Sequence, residues 1–241
     1  MKEKQKCPYK FMWPELIPGR LIRRYKRFLA DVELHGGKTV TAHCANSGKM
    51  TECCRAGRPV WLSFHDNPKR KLKYTWELIE MPGSPVGVNT QVPNPLVAES
   101  VKAGCIPELS GYSDVRREVK AGTRSRLDML LRGAKRADCY VEVKNCTLVQ
   151  KGMAAFPDAV SLRGQKHLTE MEKLIAAGHR CVMFYLIQRM DAEYFRPADF
   201  IDPEYGKKLR QAHKKGVEIL VYDVAIDHKS VCLRRKIPCI L

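Results

Sequence analysis

Acidic side chains are scarce in this chain. There are 26 Asp and Glu against 43 Lys and Arg, a formal net charge of +17 over 241 residues. Such an excess calls for polyanionic company, nucleic acid first. It is densest early: residues 1–85 hold 17 basic against 8 acidic side chains, residues 86–241 hold 26 against 18. No apolar run approaches the ~20 residues that a membrane span needs. The start, MKEKQKCPYKFMWPELIPG, is basic but has no apolar stretch followed by a small-residue cleavage site. The expectation is a cytoplasmic protein with no membrane partner. The ten cysteines, at 7, 44, 53, 54, 105, 139, 146, 181, 232 and 239, contain no CxxC pair and no Cys/His set with zinc-finger spacing. Several lie in apolar runs such as CVMFYLI and CIPEL, where a thiol acts as a small buried hydrophobe. Reduced core thiols are therefore expected, with Cys53–Cys54 as the pair placed for oxidation or metal capture. Repeats and low-complexity tracts are also missing, and the hydrophobic content of 44% suffices for a packed core.

What is present divides at a proline-rich stretch, MPGSPVGVNTQVPNP (81–95), giving an expected N-terminal domain over 1–85 and a C-terminal domain over 86–241. The first reads as short strands: IRRYKRFLADVEL (22–34), with Phe28, Ala30, Val32 and Leu34 on one face, then KTVTAH (38–43), PVWLSF (59–64), LKYTWELIE (72–80) and VGVNT (86–90). The breaks HGG, NSGK, RAGRP and HDNPKRK are turn chemistry. Such a pattern suits a small β-barrel, OB-type or SH3-like, and the OB type binds nucleic acid. Beyond it the texture alternates. NPLVAESVKAG (94–104) reads as a helix ending at Gly104, while VRREVKAG is ambiguous. SRLDMLLRG and CYVEVKNCTLV read as neighbouring strands with a turn at 133–138. Ser161 to Ala177 is the clearest helix, stopped by Gly178. HRCVMFYLIQR and VEILVYDVAI are buried strands separated by the basic helix YGKKLRQAHKKG. The sum is an α/β (α+β) chain: an N-terminal barrel, then a mixed sheet flanked by helices.

The run YVEVKNCTLV (140–149) carries two charges in an apolar strand. Residues i and i+2 of a strand share a face, so Glu142 and Lys144 point one way, and Val141, Val143 and Asn145 the other. Asp128 lies in the preceding apolar strand. If the two strands pair, Asp128 and Glu142 converge, and paired carboxylates raise one another's pKa unless a cation stands between them. Oxygen ligands suit a hard ion such as Mg²⁺ or Mn²⁺, to which the Val143 carbonyl could add. Lys144 could position a water or stabilise charge on a phosphate. This is the D…ExK pattern of PD-(D/E)xK nucleases; its bland alternative is a solvated Glu–Lys pair on an edge strand. Glu118 is a further candidate, reaching the metal from an early helix or else pairing with Arg116, Arg117 or Lys120. FPDA (156–159) contains a Pro-Asp, but on the wrong side of ExK; Asp158 is expected to help start the following helix.

Two basic blocks could track phosphates while an aromatic stacks a base: Arg20, Arg23, Arg24, Lys26 and Arg27 with Tyr25 and Phe28, and Lys69, Arg70, Lys71 and Lys73 with Tyr74 and Trp76. Their bland reading is a solvated barrel surface over core aromatics. His43, Asn46, Ser47 and Lys49 fall near a loop that either makes a turn at Asn46–Gly48 or meets a phosphate. Arg163, Lys166 and His167 stand near a helix start, where anions are favoured, although His167 equally suits a core or capping role.

The blocks LIRRYKRFLADVEL, TAHCANSGKM, RKLKYTWELIE, SRLDMLL, YVEVKNCTL and FPDAVSLRGQKHL, in this order and spread over nearly the whole chain, closely resemble the sugar fermentation stimulation protein A family of bacteria and archaea. Cys146 departs from the family, standing where an aliphatic residue is usual, and cysteine is unusually plentiful. The resemblance implies an OB-type domain followed by a PD-(D/E)xK-like domain, nonspecific DNA binding, and a role in regulating sugar (maltose) metabolism genes. It maps the family's acidic motif onto Asp128, Glu142 and Lys144, with Glu118 as a less certain member. Three functions stay open: a metal-dependent nuclease, a non-enzymatic DNA-binding regulator, and an RNA-binding or RNA-processing factor.

Overall fold

The computed structural model describes residues 7–121, 125–134 and 136–241. The basic first six residues, the 122–124 connection and position 135 of the expected 133–138 turn lie outside the described residues. After a short strand, β1 (Phe11–Met12), the chain builds a barrel from β2 (Leu16–Tyr25), β3 (Leu29–Leu34), β4 (Thr39–His43), β5 (Pro59–Phe64) and β6 (Tyr74–Met81), with β7 (Ser84–Gly87) added to β6. The run read as one strand over 22–34 is in fact a hairpin. Lys26 and Arg27 take positive φ of 48° and 62° and reverse the chain, so Phe28 sits on the turn, 48% exposed, instead of joining Ala30 and Val32 in the core. The strand order β4-β3-β2-β5-β6 closes through a parallel β4–β6 pairing. Following partners around from Leu16 through Ser63, Thr75, His43 and Leu29 returns to β2 at Tyr25, nine residues further on. That stagger is the shear a narrow five-stranded barrel needs to close over its side chains. Leu21, Ala30, Val32, Leu62, Trp76 and Ile79 fill it. The β2–β3 turn, the loop after β4 and the β5–β6 loop all leave from the end at which β4 and β6 meet.

The proline-rich stretch is only partly a connection, since Ser84–Gly87 is strand β7, paired with β6. The second half follows with α1 (Pro93–Lys102), β8 (Asp114–Ala121), β9 (Ser125–Arg132), β10 (Cys139–Cys146), β11 (Leu148–Gln150), β12 (Met153–Phe156), α2 (Leu162–Ala176), β13 (Arg180–Ile187), β14 (Tyr194–Pro197), α3 (Pro203–Lys214), β15 (Glu218–Ile226) and β16 (Ser230–Lys236). Seven strands form a sheet in the order β1-β16-β15-β13-β10-β9-β8, parallel at the centre and antiparallel towards both edges. The ambiguous VRREVKAG is the edge strand β8. Central β13 explains its own unbroken apolar run: Val182, Phe184 and Leu186 face the α1 side with Val141 and Val143, while Met183, Tyr185 and Ile187 face α2 and α3. Ser161 caps α2, its hydroxyl accepting from the Gly164 N–H at 3.1 Å, and Asp202 caps α3 in the same way. A small sheet, β11-β12-β14, lies beside the main one.

The cysteines correct one expectation. Cys7 and Cys105 form a disulfide across 98 residues, tying the segment before β1 to the end of α1. The other eight are free, and five of them are buried, Cys53 included, whose thiol burial pushes up to about 12. Apolar surroundings suggested a thiol at each position, but only the folded chain brings those two together. Among the described residues, no helix is long and apolar enough to cross a membrane.

Candidate active site

β9 and β10 pair antiparallel only as far as Val141 opposite Met129. One step further the Asp128 side chain takes over from the backbone ladder: its Oδ2 accepts the Val143 N–H at 2.8 Å. Its Oδ1 accepts from Asn94 Nδ2 at 2.7 Å, at the start of α1. The strands thus part at the point where Asp128 and Glu142 come together. The N–H and C=O of one strand residue point the same way, so the Val143 carbonyl looks towards β9 as well.

Glu142 is 2% exposed and faces α2. Its Oε1 accepts from Lys144 Nζ and from His167 Nδ1. Arg163 Nε approaches His167 Nε2 at 3.4 Å as a donor, which assigns the ring proton to Nδ1 and makes His167 a neutral donor to Glu142. The other carboxylate oxygen, Glu142 Oε2, is buried without a partner. A buried carboxylate oxygen left so is costly unless something completes it. The two carboxyls are also pushed apart. Burial, and then the Glu142 charge, raise Asp128 to about 6, against the pull of the Val143 N–H, Lys144 and Asn94. Burial pushes Glu142 up too, but Lys144 and His167 outweigh it and hold that carboxyl below its ordinary range.

The site opens into a cleft of about 670 Å³ between sheet and barrel. Its floor holds Asp128, Glu142, Val143 and Lys144; one wall is barrel, with Arg24, Arg27 and Asn46–Lys49; the other is the 156–163 segment. Arg24 builds the barrel wall: its guanidinium donates to the carbonyls of Arg27, Asn46, Gly48 and Lys49. Asn46 Oδ1 accepts the Gly48 N–H at 2.9 Å, the expected turn. Asp158 joins the two walls, its Oδ2 accepting the Met50 N–H at 3.0 Å. Gly48 is packed so closely on that carboxylate that an added Cβ would lie 2.3 Å from it. Asp158 therefore does not start α2, which Ser161 caps; it fastens the barrel loop.

The predicted residues part company here. Asp128, Glu142, Val143 and Lys144 come together, whereas Glu118 does not join them. It lies on strand β8, not on a helix, exposed and with φ of 54°, and does not line the cleft. Of the basic blocks, Arg24 and Arg27 line the cleft. Arg20 donates to the Gly57 carbonyl at 2.7 Å, and Arg23 pairs with Asp31 at 2.8 Å. Arg70 donates to Thr75, and Lys26, Lys69 and Lys71 are exposed outside the cleft. His167 was weighed in the sequence only as a phosphate contact or a core histidine; Asn94 carried no signal, since nothing in NPLVAESVKAG links it to Asp128. Among the described residues there is no cluster of three or more His, Cys, Asp or Glu arranged for a metal. Two carboxylates, a main-chain carbonyl and the unpartnered Oε2 still fit a hard cation that keeps part of its water shell.

The fold and the residues match known proteins end to end. Residues 22–88 match the family model described as the SfsA N-terminal OB domain, and residues 91–230 the one described as the sugar fermentation stimulation protein RE domain. The sugar fermentation stimulation protein homolog of Geotalea uraniireducens (strain Rf4) is 52% identical over 222 residues, covering 92% of this chain and 96% of that one. The homolog of Geobacter sulfurreducens is 52% identical over 223 residues, covering 92% and 95%. Among solved structures, Pyrococcus furiosus SfsA in complex with Ca²⁺ superposes with a TM-score of 0.89 at 25% identity, covering 98% of this chain and all of that one. With both family models in order along one closed barrel and one mixed sheet, the chain belongs to the sugar fermentation stimulation protein family.

Proposed function

We propose that this chain is a cytoplasmic DNA-binding protein that holds a divalent cation, Mg²⁺ or Mn²⁺, in its cleft and hydrolyses phosphodiesters there. The observation that carries the reading is the buried, unpartnered Oε2 of Glu142 beside Asp128 and Lys144, at the floor of a cleft with a basic wall. Asp128 and Glu142 would hold the ion, with the Val143 carbonyl. The ion supplies Lewis-acid stabilisation of a phosphoryl oxygen and a more acidic bound water. Lys144 lies within reach of charge developing on the phosphate. His167 keeps Glu142 oriented, and Arg27 and Lys49, which make no ion pair among the described residues, meet neighbouring phosphates. The related Pyrococcus protein carries Ca²⁺ in its title, which supports a hard-cation site here.

The test is incubation of the purified chain with single-stranded, duplex and branched DNA and with RNA, plus Mg²⁺ or Mn²⁺. Cleavage that disappears in Glu142→Ala with Lys144→Ala supports hydrolysis. Cleavage that persists in that variant, or none by the wild type, sinks it. A non-enzymatic regulator of sugar (maltose) genes is the second reading, favoured by the basic barrel end. It is distinguished by DNA affinity that falls with salt and ignores Glu142 changes.

A further inference from the structure

The cleft is pinned at its width. Asp158 on the sheet side accepts the Met50 N–H of the barrel loop, and its carboxylate sits against Gly48. A second tie runs from Thr90 Oγ1 to the Ala45 carbonyl, and a third from Asn46 Nδ2 to the Val88 carbonyl at 3.2 Å. The barrel loop therefore cannot swing away from the 156–163 segment without losing a charge-assisted hydrogen bond and two neutral ones. The enclosed space, about 670 Å³, is that of a pocket for a drug-sized ligand (~300–1,000 Å³) and not of a duplex channel. Its carboxylates are at the floor, Glu142 only 2% exposed. A phosphate within a duplex would have to bring the opposite strand into the walls.

The rim carries the second observation. Val160, which lines the cleft, and Leu162, the first residue of α2, are 65% and 73% exposed, the two most exposed large hydrophobic side chains among the described residues. They alternate with the polar Ser161 and Arg163, both of which line the cleft. Large apolar side chains beside cations suit a ligand with an anionic backbone and apolar faces, and an unpaired polynucleotide strand offers both. Paired bases hide those faces in the stack.

Resting on the reading of this cleft as a DNA site, we propose that it accepts a single DNA strand and not a duplex, with backbone phosphates on Arg27 and Lys49 and a base laid on Val160 and Leu162. Binding is measured by fluorescence anisotropy at fixed low salt with Ca²⁺ present. The probes are a 12-nucleotide single strand and a dumbbell duplex of the same sequence closed at both ends. The strand is expected to bind at least tenfold tighter than the dumbbell. Val160→Ser with Leu162→Ser, both exposed and so without effect on the melting temperature, is expected to weaken the strand about fivefold or more and leave the dumbbell unchanged. A dumbbell that binds as tightly as the strand, or a strand indifferent to both substitutions, overturns this inference and leaves the DNA-binding reading standing. No binding of either probe overturns both.

Discussion

At Asp128 and Glu142 two carboxyls of one site titrate in opposite directions, and their effects on stability have opposite signs. Asp128 is raised to about 6, by burial first and by the Glu142 charge second, so between its ordinary value and about 6 the folded chain holds a proton that the unfolded chain has released. Stability of the metal-free protein must then fall as pH rises through that window. Asp128→Asn should stabilise the metal-free protein at pH 8 by on the order of 1–2 kcal/mol and give no gain at pH 4, as read by urea denaturation at the two pH values. Equal shifts at both would refute the assignment. Glu142 is held low, so its contribution is present above the ordinary carboxylate range and is lost as pH falls through its folded value. Because a bound cation needs Asp128 ionised, Mn²⁺ affinity in calorimetry should climb as pH passes about 6 and then level off. His167→Ala removes a buried donor to Glu142 and should cost about 1–3 kcal/mol in the same denaturation experiment, with His167→Gln recovering part of it.

Among the elements, the barrel loop and α2 show how function is attached to the frame. The loop 46–50 has an internal turn, an arginine that donates to four carbonyl groups, and one external fastening, Asp158. Asp158→Ala should leave the β2–β7 core protected but speed amide exchange at Met50 at least tenfold, the scale of a lost hydrogen bond to a charged group (about 1.5–3 kcal/mol). Unchanged exchange would mean the loop stands without it. Element types were largely legible in the sequence. The helix over 162–176 and strands β10, β13 and β15 carry clean periodicity, and Ser161 and Gly178 mark the ends of α2. β8 and the β2–β3 hairpin were not. Their turns are made by Lys26 and Arg27, which carry no turn chemistry, and the edge strand β8 has polar residues where alternation would be sought. Glu118 went astray with β8: an expected helix became a strand, and the carboxyl left the site.

For the whole molecule, the charge and the disulfide matter most. A chain of net charge +17 should bind DNA with affinity that declines linearly with salt on a log–log plot. Arg27→Ala with Lys49→Ala should flatten that slope by about 2, roughly 0.9 per lost phosphate contact, as followed by anisotropy across a salt series. An unchanged slope would place the phosphates elsewhere. The Cys7–Cys105 bridge closes a loop of 98 residues. Replacing both by Ser should cost about 2–4 kcal/mol against the oxidised protein and nothing against the reduced one, in denaturation with and without reductant.

Composition, periodicity and motif order already determined the charge of the partner, two successive folding units, the helices and strands, and the D…ExK set, because each depends on residues close together in the chain. Tertiary structure decided the rest. It chose His167 and Asn94 as the partners of the two carboxyls, from 25 residues beyond Glu142 and 34 before Asp128. It left Glu142 Oε2 bare, paired Cys7 with Cys105, and set Asp158 across the cleft against a loop 108 residues away. Those contacts depend on where strands part and layers meet, and no local pattern encodes a distance through space.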